Sequence, residues 1–263
     1  MAMTDKMIAR RDGVIGWMTF NNPARHNAMS MDMWEAVSEI IGQFEADPEV
    51  RVIVLHGAGE KAFVSGADIS QFDTMRSNKE EVARYDAVAD LANNALTNTT
   101  KPTIAMIRGY CIGGGLGVAL RCDLRIAAEG SRFAIPAAKL GLGYGYPGVK
   151  LLTDLVGPSV AKDIFFTARQ YETTEALRIG LINHVVPTAE LETFTRAYAE
   201  NIARNAPLTV KTAKMAVNAA TEDESTRDLA AVEAAVAVCF ASADYKEGRA
   251  AFMEKRKPNF RGA

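Results

Sequence analysis

Four of the 20 glycines in this 263-residue chain fall within five positions, in the segment IGGGLGVALRCD at residues 112–123. An apolar run at 103–107 precedes them and a helical pattern at 115–121 follows, which predicts a strand, a tight turn and a helix. Glycine lets a backbone approach a ligand or another chain segment closely, because it has no Cβ. The first N–H groups of a helix have no partner within the helix. The segment therefore predicts either close packing or a site where backbone N–H groups bind an anion or oxyanion.

A nucleotide site is disfavoured by the same segment. Val118 stands where a dinucleotide-binding fingerprint has its third small residue, and Gly117-Val118 replaces the Lys-Ser/Thr that a phosphate-binding P-loop requires.

Short apolar runs alternate with helical patterns up to about residue 190, and this alternation predicts an α/β fold with parallel strands. The irregular strand spacing favours a tightly wound spiral over an open, doubly wound sheet. Strands are predicted at 14–20, 52–55, 103–107, 124–127 and 183–186. Helices are predicted at 31–45, 80–97, 115–121, 158–168 and 174–179, with Ser30 and Thr173 as N-caps.

Beyond residue 190 the sequence has only helical patterns, at 191–204, 208–220, 225–240 and 245–256. We therefore expect a core at residues 1–190 that contains the functional site, and a helical C-terminal region at 191–263.

Composition excludes several classes of protein. The formal net charge of −2 gives no basic surface for nucleic acid, and no apolar run is long enough to predict a membrane span or a signal peptide. The three cysteines are too dispersed for a zinc motif and are typical of a reducing cytoplasm. The three histidines show no catalytic or metal-ligand spacing, so no metal site is predicted.

A second small-residue turn, in AFVSGADI at 62–69, also follows an apolar strand. Two such turns can each direct one backbone N–H to a single oxygen, which is the arrangement of an oxyanion hole.

Together these motifs resemble the enoyl-CoA hydratase/isomerase (crotonase) superfamily. The similarity includes AFVSGADI, GYCIGGGLGVALRCDLRIAA, NPARHNAMS near the start and YKEGRAAFMEKRKPNF near the end, in the family's order. The resemblance implies a crotonase-like spiral of β-β-α turns, a C-terminal helical region involved in trimerisation, and a homo-oligomer that is a trimer or a dimer of trimers. It also implies an acyl-CoA thioester substrate, with coenzyme A as part of the substrate and no permanently bound cofactor.

The resemblance assigns the oxyanion donors to the backbone N–H groups of Ala67 and Gly114. The resemblance also implies contacts with coenzyme A from Ala24, Arg25, His26, Ala67, Ile69, Phe252 and Lys255. For the charged residues among them, the alternative is a solvated position on the surface without contact to coenzyme A.

Two positions depart from the family pattern. Gly117 and Ala137 stand where the resemblance places the two glutamates that activate water in hydratases. Tyr144 resembles an active-site tyrosine of methylmalonyl-CoA decarboxylase-like members, although it is equally compatible with a pocket wall. The sequence therefore predicts enolate chemistry with doubtful hydratase activity. The alternatives are decarboxylation of a malonyl-CoA-type thioester and a non-catalytic acyl-CoA-binding subunit.

Overall fold

Two sheets and a set of surrounding helices make up the fold. The computed structural model describes residues 4–68 and 79–263. Its strands are β1 (Met7–Asp12), β2 (Ile15–Phe20), β3 (Val52–Gly57), β4 (Ala62–Val64), β5 (Thr103–Ile107), β6 (Tyr110–Ile112), β7 (Leu124–Ala128), β8 (Arg132–Ala134), β9 (Tyr171–Glu172) and β10 (His184–Val186). Its α-helices are α1 (Met31–Ala46), α2 (Lys79–Asn98), α3 (Gly114–Arg121), α4 (Tyr146–Val156), α5 (Pro158–Thr167), α6 (Thr173–Arg178), α7 (Leu191–Ala203), α8 (Pro207–Thr221), α9 (Leu229–Ala241) and α10 (Ala243–Met253).

The chain passes from the larger sheet to the smaller one at each turn of a spiral. In the described residues the larger sheet has the order β1-β2-β3-β5-β7-β10 and the smaller one β4-β6-β8-β9. Each of the pairs β3/β4, β5/β6 and β7/β8 gives one strand to each sheet, and helices follow the second and third pairs. Apart from β1 and β9, which pair antiparallel, the strands are parallel. The predicted α/β spiral of β-β-α turns is confirmed.

Strand β3 lies at the centre of the larger sheet and is covered on both faces. Val52 and Val54 belong to one apolar cluster, whereas Ile53 and Leu55 belong to the other, and all four are fully buried. Consecutive side chains of a strand point to opposite faces. The uninterrupted apolar run that the sequence shows here is therefore explained by burial on both sides.

Helix α7 joins the C-terminal region to this core. Its residues Leu191, Ala199 and Ala203 are buried in the same cluster as Val52 and Val54. The first helix of the predicted 191–263 region thus covers one face of the larger sheet, and the division at residue 190 stays a prediction.

Most predicted elements are present within a few residues of the expected limits, and the differences have local causes. Thr173 is the first residue of α6, whose N-cap is Glu172, so the predicted N-cap is one residue too late. Ser30 does precede α1, but its hydroxyl contacts the Asp32 carboxylate and does not cap the helix backbone. None of the helices in the described residues is long and apolar enough to cross a membrane.

The N-terminus of α3 is pressed against the end of β4 at Gly115. A Cβ built on Gly115 would lie 2.1 Å from the carbonyl oxygen of Val64 and 2.7 Å from its carbonyl carbon. Both atoms are backbone atoms of a buried strand, so neither can move aside as a flexible side chain would. Only glycine therefore permits this approach of helix and strand.

We expect Gly115→Ala to destabilise the protein by about 2 kcal/mol or more, since the added methyl overpacks the buried contact. Gly42→Ala is the matched control, because Gly42 is exposed within α1 and has no atom within 4 Å of its Cβ position. That change should stabilise by roughly 0.5–1 kcal/mol through helix propensity. Chemical denaturation of both variants measures the difference, and equal stability of the two would contradict this account of the contact.

Candidate active site

Three loops meet at one edge of the smaller sheet. Strands β4, β6 and β8 are neighbours and run parallel, so their carboxyl ends lie at the same edge. Ser65–Ala67 follows β4, Gly113 and Gly114 follow β6, and Ala137 lies in a 3₁₀ turn (Pro136–Leu140) just after β8. Parallel pairing in this sheet is therefore what brings together segments about 70 residues apart in the sequence.

Two glycines with positive φ shape the first two loops. Gly66 has φ +113° and Gly113 has φ +55°, values that L side chains rarely adopt. The loops are in close contact, because a Cβ on Gly114 would lie 3.8 Å from the Ala67 nitrogen and a Cβ on Gly66 would lie 4.0 Å from the Gly114 nitrogen. The structure thus brings together the two backbone nitrogens that the sequence analysis selected.

Neither of these N–H groups is used within the described part of the chain. Gly114 is the first residue of α3, where backbone N–H groups have no partner in the helix. Around Ala67 the bridge to Met29 uses the neighbouring groups: Met29 N–H donates to the Gly66 carbonyl at 2.8 Å, and Asp68 N–H donates to the Met29 carbonyl at 2.9 Å. The Ala67 N–H has no acceptor among the described residues, and the dipole of α3 adds positive potential at Gly114.

The two N–H groups open into a cavity of about 580 Å³. Helix α2 forms another part of the wall, where Trp34 Nε1 of α1 donates to the Tyr85 hydroxyl at 2.9 Å. The remaining wall is the segment 140–148. A cavity of this size, with two donors at one point and walls that combine apolar and polar side chains, can hold an acyl group with its carbonyl oxygen on the donors.

Comparison with known proteins assigns the family. The model of the enoyl-CoA hydratase/isomerase family matches residues 10–263. The chain belongs to this family. It is 38% identical over 253 residues to a short-chain-enoyl-CoA hydratase of Clostridium acetobutylicum, covering 96% of each chain. It is 33% identical over 256 residues to a crotonyl-CoA hydratase of Syntrophomonas wolfei, covering 97% of this chain and 98% of the other.

The fold is shared as well. A crystal structure of an enoyl-CoA hydratase/carnithine racemase from Magnetospirillum magneticum is similar with a TM-score of 0.92 at 36% identity, over 99% of this chain and 97% of the other. The enoyl-CoA hydratase/isomerase family consists of acyl-CoA-processing enzymes, so the cavity described above lies in an enzyme scaffold.

The turn expected to contact coenzyme A adjoins the first donor loop. Ala24, Arg25 and His26 are exposed, in and just after the 3₁₀ turn Pro23–Arg25. The Ser65 backbone N–H donates to the His26 carbonyl at 3.1 Å, and its hydroxyl donates to the Arg25 carbonyl at 3.4 Å. The exposed turn is thereby fixed next to the loop that carries Ala67.

The other expected contacts with coenzyme A are not brought to the cavity within this chain. Phe252 is 83% exposed near the end of α10, and Lys255 follows it with φ +53°. Neither lines the cavity. Ile69 lies outside the described residues. The roles of these three residues stay predictions.

Gly117, Ala137 and Tyr144 all line the cavity, as the resemblance implies. A Cβ on Gly117 would lie 3.6 Å from the Tyr144 hydroxyl oxygen and 3.6 Å from Arg121 Nη1. Gly117 and Ala137 are both buried and carry no group that exchanges a proton. Tyr144 packs on Phe165 at 5.1 Å between ring centroids, and its hydroxyl has no hydrogen bond in the described residues.

Sequence analysis missed Arg121, Asn93 and two aspartates of the cavity wall. Arg121 ends α3 and looks like an ordinary cation at a helix C-terminus. Asp86, Asp90 and Asn93 are separated by about one helix turn along α2. This spacing predicts that the three side chains share one face of the helix.

The thiols take no part in this site. Cys111 and Cys122 are buried, and burial raises the pKa of both, to about 12 for Cys122. Thiols with raised pKa are poor nucleophiles, so both act as small core residues.

Desolvation raises the pKa of Tyr144 above the usual value of 10, although the residue as a whole is 36% exposed, and the charge of Arg121 opposes this shift only in part. The phenol is therefore neutral at physiological pH. We expect a spectrophotometric titration of the wild type minus Tyr144→Phe to show a single tyrosine that ionises above pH 10. A difference spectrum with its midpoint at or below pH 10 would contradict this placement of the hydroxyl, and Tyr146→Phe, which removes a neighbouring tyrosine outside the cavity, controls for the subtraction.

Proposed function

We propose that this enzyme binds an acyl-CoA thioester with the carbonyl oxygen between the N–H groups of Ala67 and Gly114, and that it promotes a reaction through the thioester enolate. The observation that carries the proposal is the meeting of these two unused donors in one cavity. When a proton or a carboxyl group leaves C2, its bonding electron pair moves onto the thioester oxygen. Donors aimed at that oxygen stabilise the charge that develops in the transition state.

Coenzyme A enters in this proposal as part of the substrate. The exposed turn at Ala24, Arg25 and His26 adjoins the Ala67 loop, which supports a place for the coenzyme outside the cavity mouth.

We further propose a homo-oligomer, a trimer or a dimer of trimers. The C-terminal helices support it through exposed apolar side chains, since Val238, Phe240, Phe252 and Met253 are each more than half exposed in the single chain.

Water addition to an enoyl-CoA is expected to be weak. Gly117 and Ala137 place no carboxylate in the buried part of the cavity. The carboxylates of the described wall are Asp86 and Asp90, both exposed on α2. Loss of a positioned acid or base typically lowers a rate by about 10² to 10⁴.

Loss of CO₂ from a malonyl-CoA-type thioester is a second candidate. Its support is Tyr144, whose neutral hydroxyl lies beside Gly117, one helix turn from the Gly114 donor. Decarboxylation produces the enolate without a base, and a neutral phenol is able to give the enolate carbon its proton.

A panel of acyl-CoA thioesters, including crotonyl-CoA and malonyl thioesters, separates these functions by product mass. We expect a product from the panel and feeble hydration of crotonyl-CoA.

Gly114→Pro removes the backbone donor at a helix position where proline is well tolerated, and should lower kcat by about 10² to 10³. Leu229→Pro places proline at the first residue of the exposed helix α9 and is the matched control. Efficient hydration of crotonyl-CoA would contradict the weak-hydratase prediction, and tight binding without any product would indicate a non-catalytic binding subunit.

For the second candidate, CO₂ release from a malonyl thioester should fall at least tenfold in Tyr144→Phe, since the variant keeps the ring on Phe165 and removes only the hydroxyl. Release that is unchanged in the variant would remove Tyr144 from the mechanism. No release from any malonyl thioester would exclude decarboxylation.

A further inference from the structure

The guanidinium of Arg121 is the one cation on the described wall of the 580 Å³ cavity into which the Ala67 and Gly114 N–H groups open. Its Nη1 donates to the Gly117 carbonyl at 2.8 Å, which folds the side chain back along α3 toward the oxyanion donors. Gly117 itself lies one turn after Gly114, roughly 4.5 Å along the helix axis. Arg121 is thus held beside Gly117, one helix turn from the Gly114 donor, and Gly117 has no side chain that would separate the guanidinium from the cavity.

Arg121 has unused donors. Among the described residues the Gly117 carbonyl is its one hydrogen-bond partner, and no carboxylate lies within 4 Å of it. A guanidinium has five N–H donors arranged to match a carboxylate. Asp90 is near enough to favour the charged form of Arg121, but it is exposed to solvent on α2 and makes no ion pair with it. The cation is therefore partly desolvated and has no counter-ion in residues 4–68 and 79–263.

Two further polar groups lie on the same walls. The Tyr144 hydroxyl and Arg121 Nη1 are each 3.6 Å from the Cβ position of Gly117. Asn93 lines the cavity from α2, and its amide oxygen is buried with no hydrogen-bond partner in the described residues. Buried polar atoms are nearly always paired, so this orphaned acceptor indicates that a ligand or water donates a hydrogen bond there. A fatty acyl chain would leave the two donors, Arg121 and the Tyr144 hydroxyl, without an acceptor.

We propose that Arg121 binds a carboxylate on the acyl chain, with the Tyr144 hydroxyl as a second donor, so that the preferred substrates are CoA thioesters of dicarboxylic acids. The proposal rests on the proposed function insofar as the thioester carbonyl must lie on Ala67 and Gly114. It makes Arg121 a specificity-determining residue for the acyl group. An ion pair with Arg121 stabilises a carboxylate more than the neutral CO₂ that decarboxylation would form, so it opposes the loss of that carboxylate. We therefore expect the carboxylate bound by Arg121 to remain in the product.

Affinity for matched pairs of thioesters tests the proposal. Malonyl-, succinyl- and glutaryl-CoA are each compared with the terminal amide of the same length, which keeps the shape and removes the charge. Calorimetric titration of the wild type should show at least one acid bound about tenfold or more tightly than its amide. Arg121→Met should bring that ratio close to one. Arg178→Met removes a surface arginine whose side chain is 73% exposed, and should leave the ratio unchanged.

A second variant keeps the test decisive if Arg121→Met does not fold. Asp90→Asn removes the negative charge that acts on Arg121 from α2, so the acid-to-amide preference should rise a few-fold in this variant. Wild-type ratios near one for all three pairs, or a ratio that Arg121→Met leaves intact, would overturn the proposal. If butyryl-CoA binds but no acid is preferred, the inference alone fails. If no acyl-CoA binds, the proposed function fails with it.

Discussion

The contact of Gly115 with the Val64 carbonyl sets the geometry on which the site depends. It fixes the first turn of α3 against the end of β4 at a distance that any Cβ would prevent. Gly114 N–H and Ala67 N–H lie immediately beyond this contact, one on each segment. Two donors can act on one oxygen only if their separation is held constant, and a backbone-to-backbone contact between a buried strand and a helix holds it more rigidly than side chains would.

The opposite end of α3 is fixed by a different device. The buried guanidinium of Arg125 donates from Nε to the Leu181 carbonyl at 2.8 Å and from Nη1 to the Cys122 carbonyl at 2.7 Å and the Ala119 carbonyl at 3.3 Å. Carbonyl groups at a helix C-terminus lack partners within the helix, and here a cation satisfies them. The helix whose N-terminus forms half of the oxyanion site is therefore held at both ends by groups that belong to the core.

The sequence predicted most of the long elements because their patterns are local, although the six-residue strand β1 was missed. The strand at 103–107 has the limits Thr103–Ile107 in the structure, and the buried run at 52–55 lies within β3. Strands β4, β6 and β8 were not predicted, because three residues are too few to show a period. Helix α4 was not predicted either, since the segment GLGYGYPG in which it begins has the composition of a loop. The smaller sheet is assembled from contacts distant in sequence, yet it is what brings the three loops of the site together.

The two turns that contain Ala67 and Gly114 were recognisable by their small residues, and the family resemblance then selected these two positions within them. Arg121 was not, because nothing in its sequence position distinguishes a solvated helix end from a cavity wall. The deciding feature is Gly117, four residues earlier on the same helix face. A glutamate there would begin 3.6 Å from Arg121 Nη1 and would neutralise it as an internal ion pair. Glycine places no carboxylate at this point of the cavity and, by the same step, leaves the Arg121 guanidinium without a counter-ion among the described residues. The missing carboxylate and the available guanidinium are therefore two consequences of one residue, and a carboxylate supplied by the substrate would restore the charge balance that Gly117 leaves open.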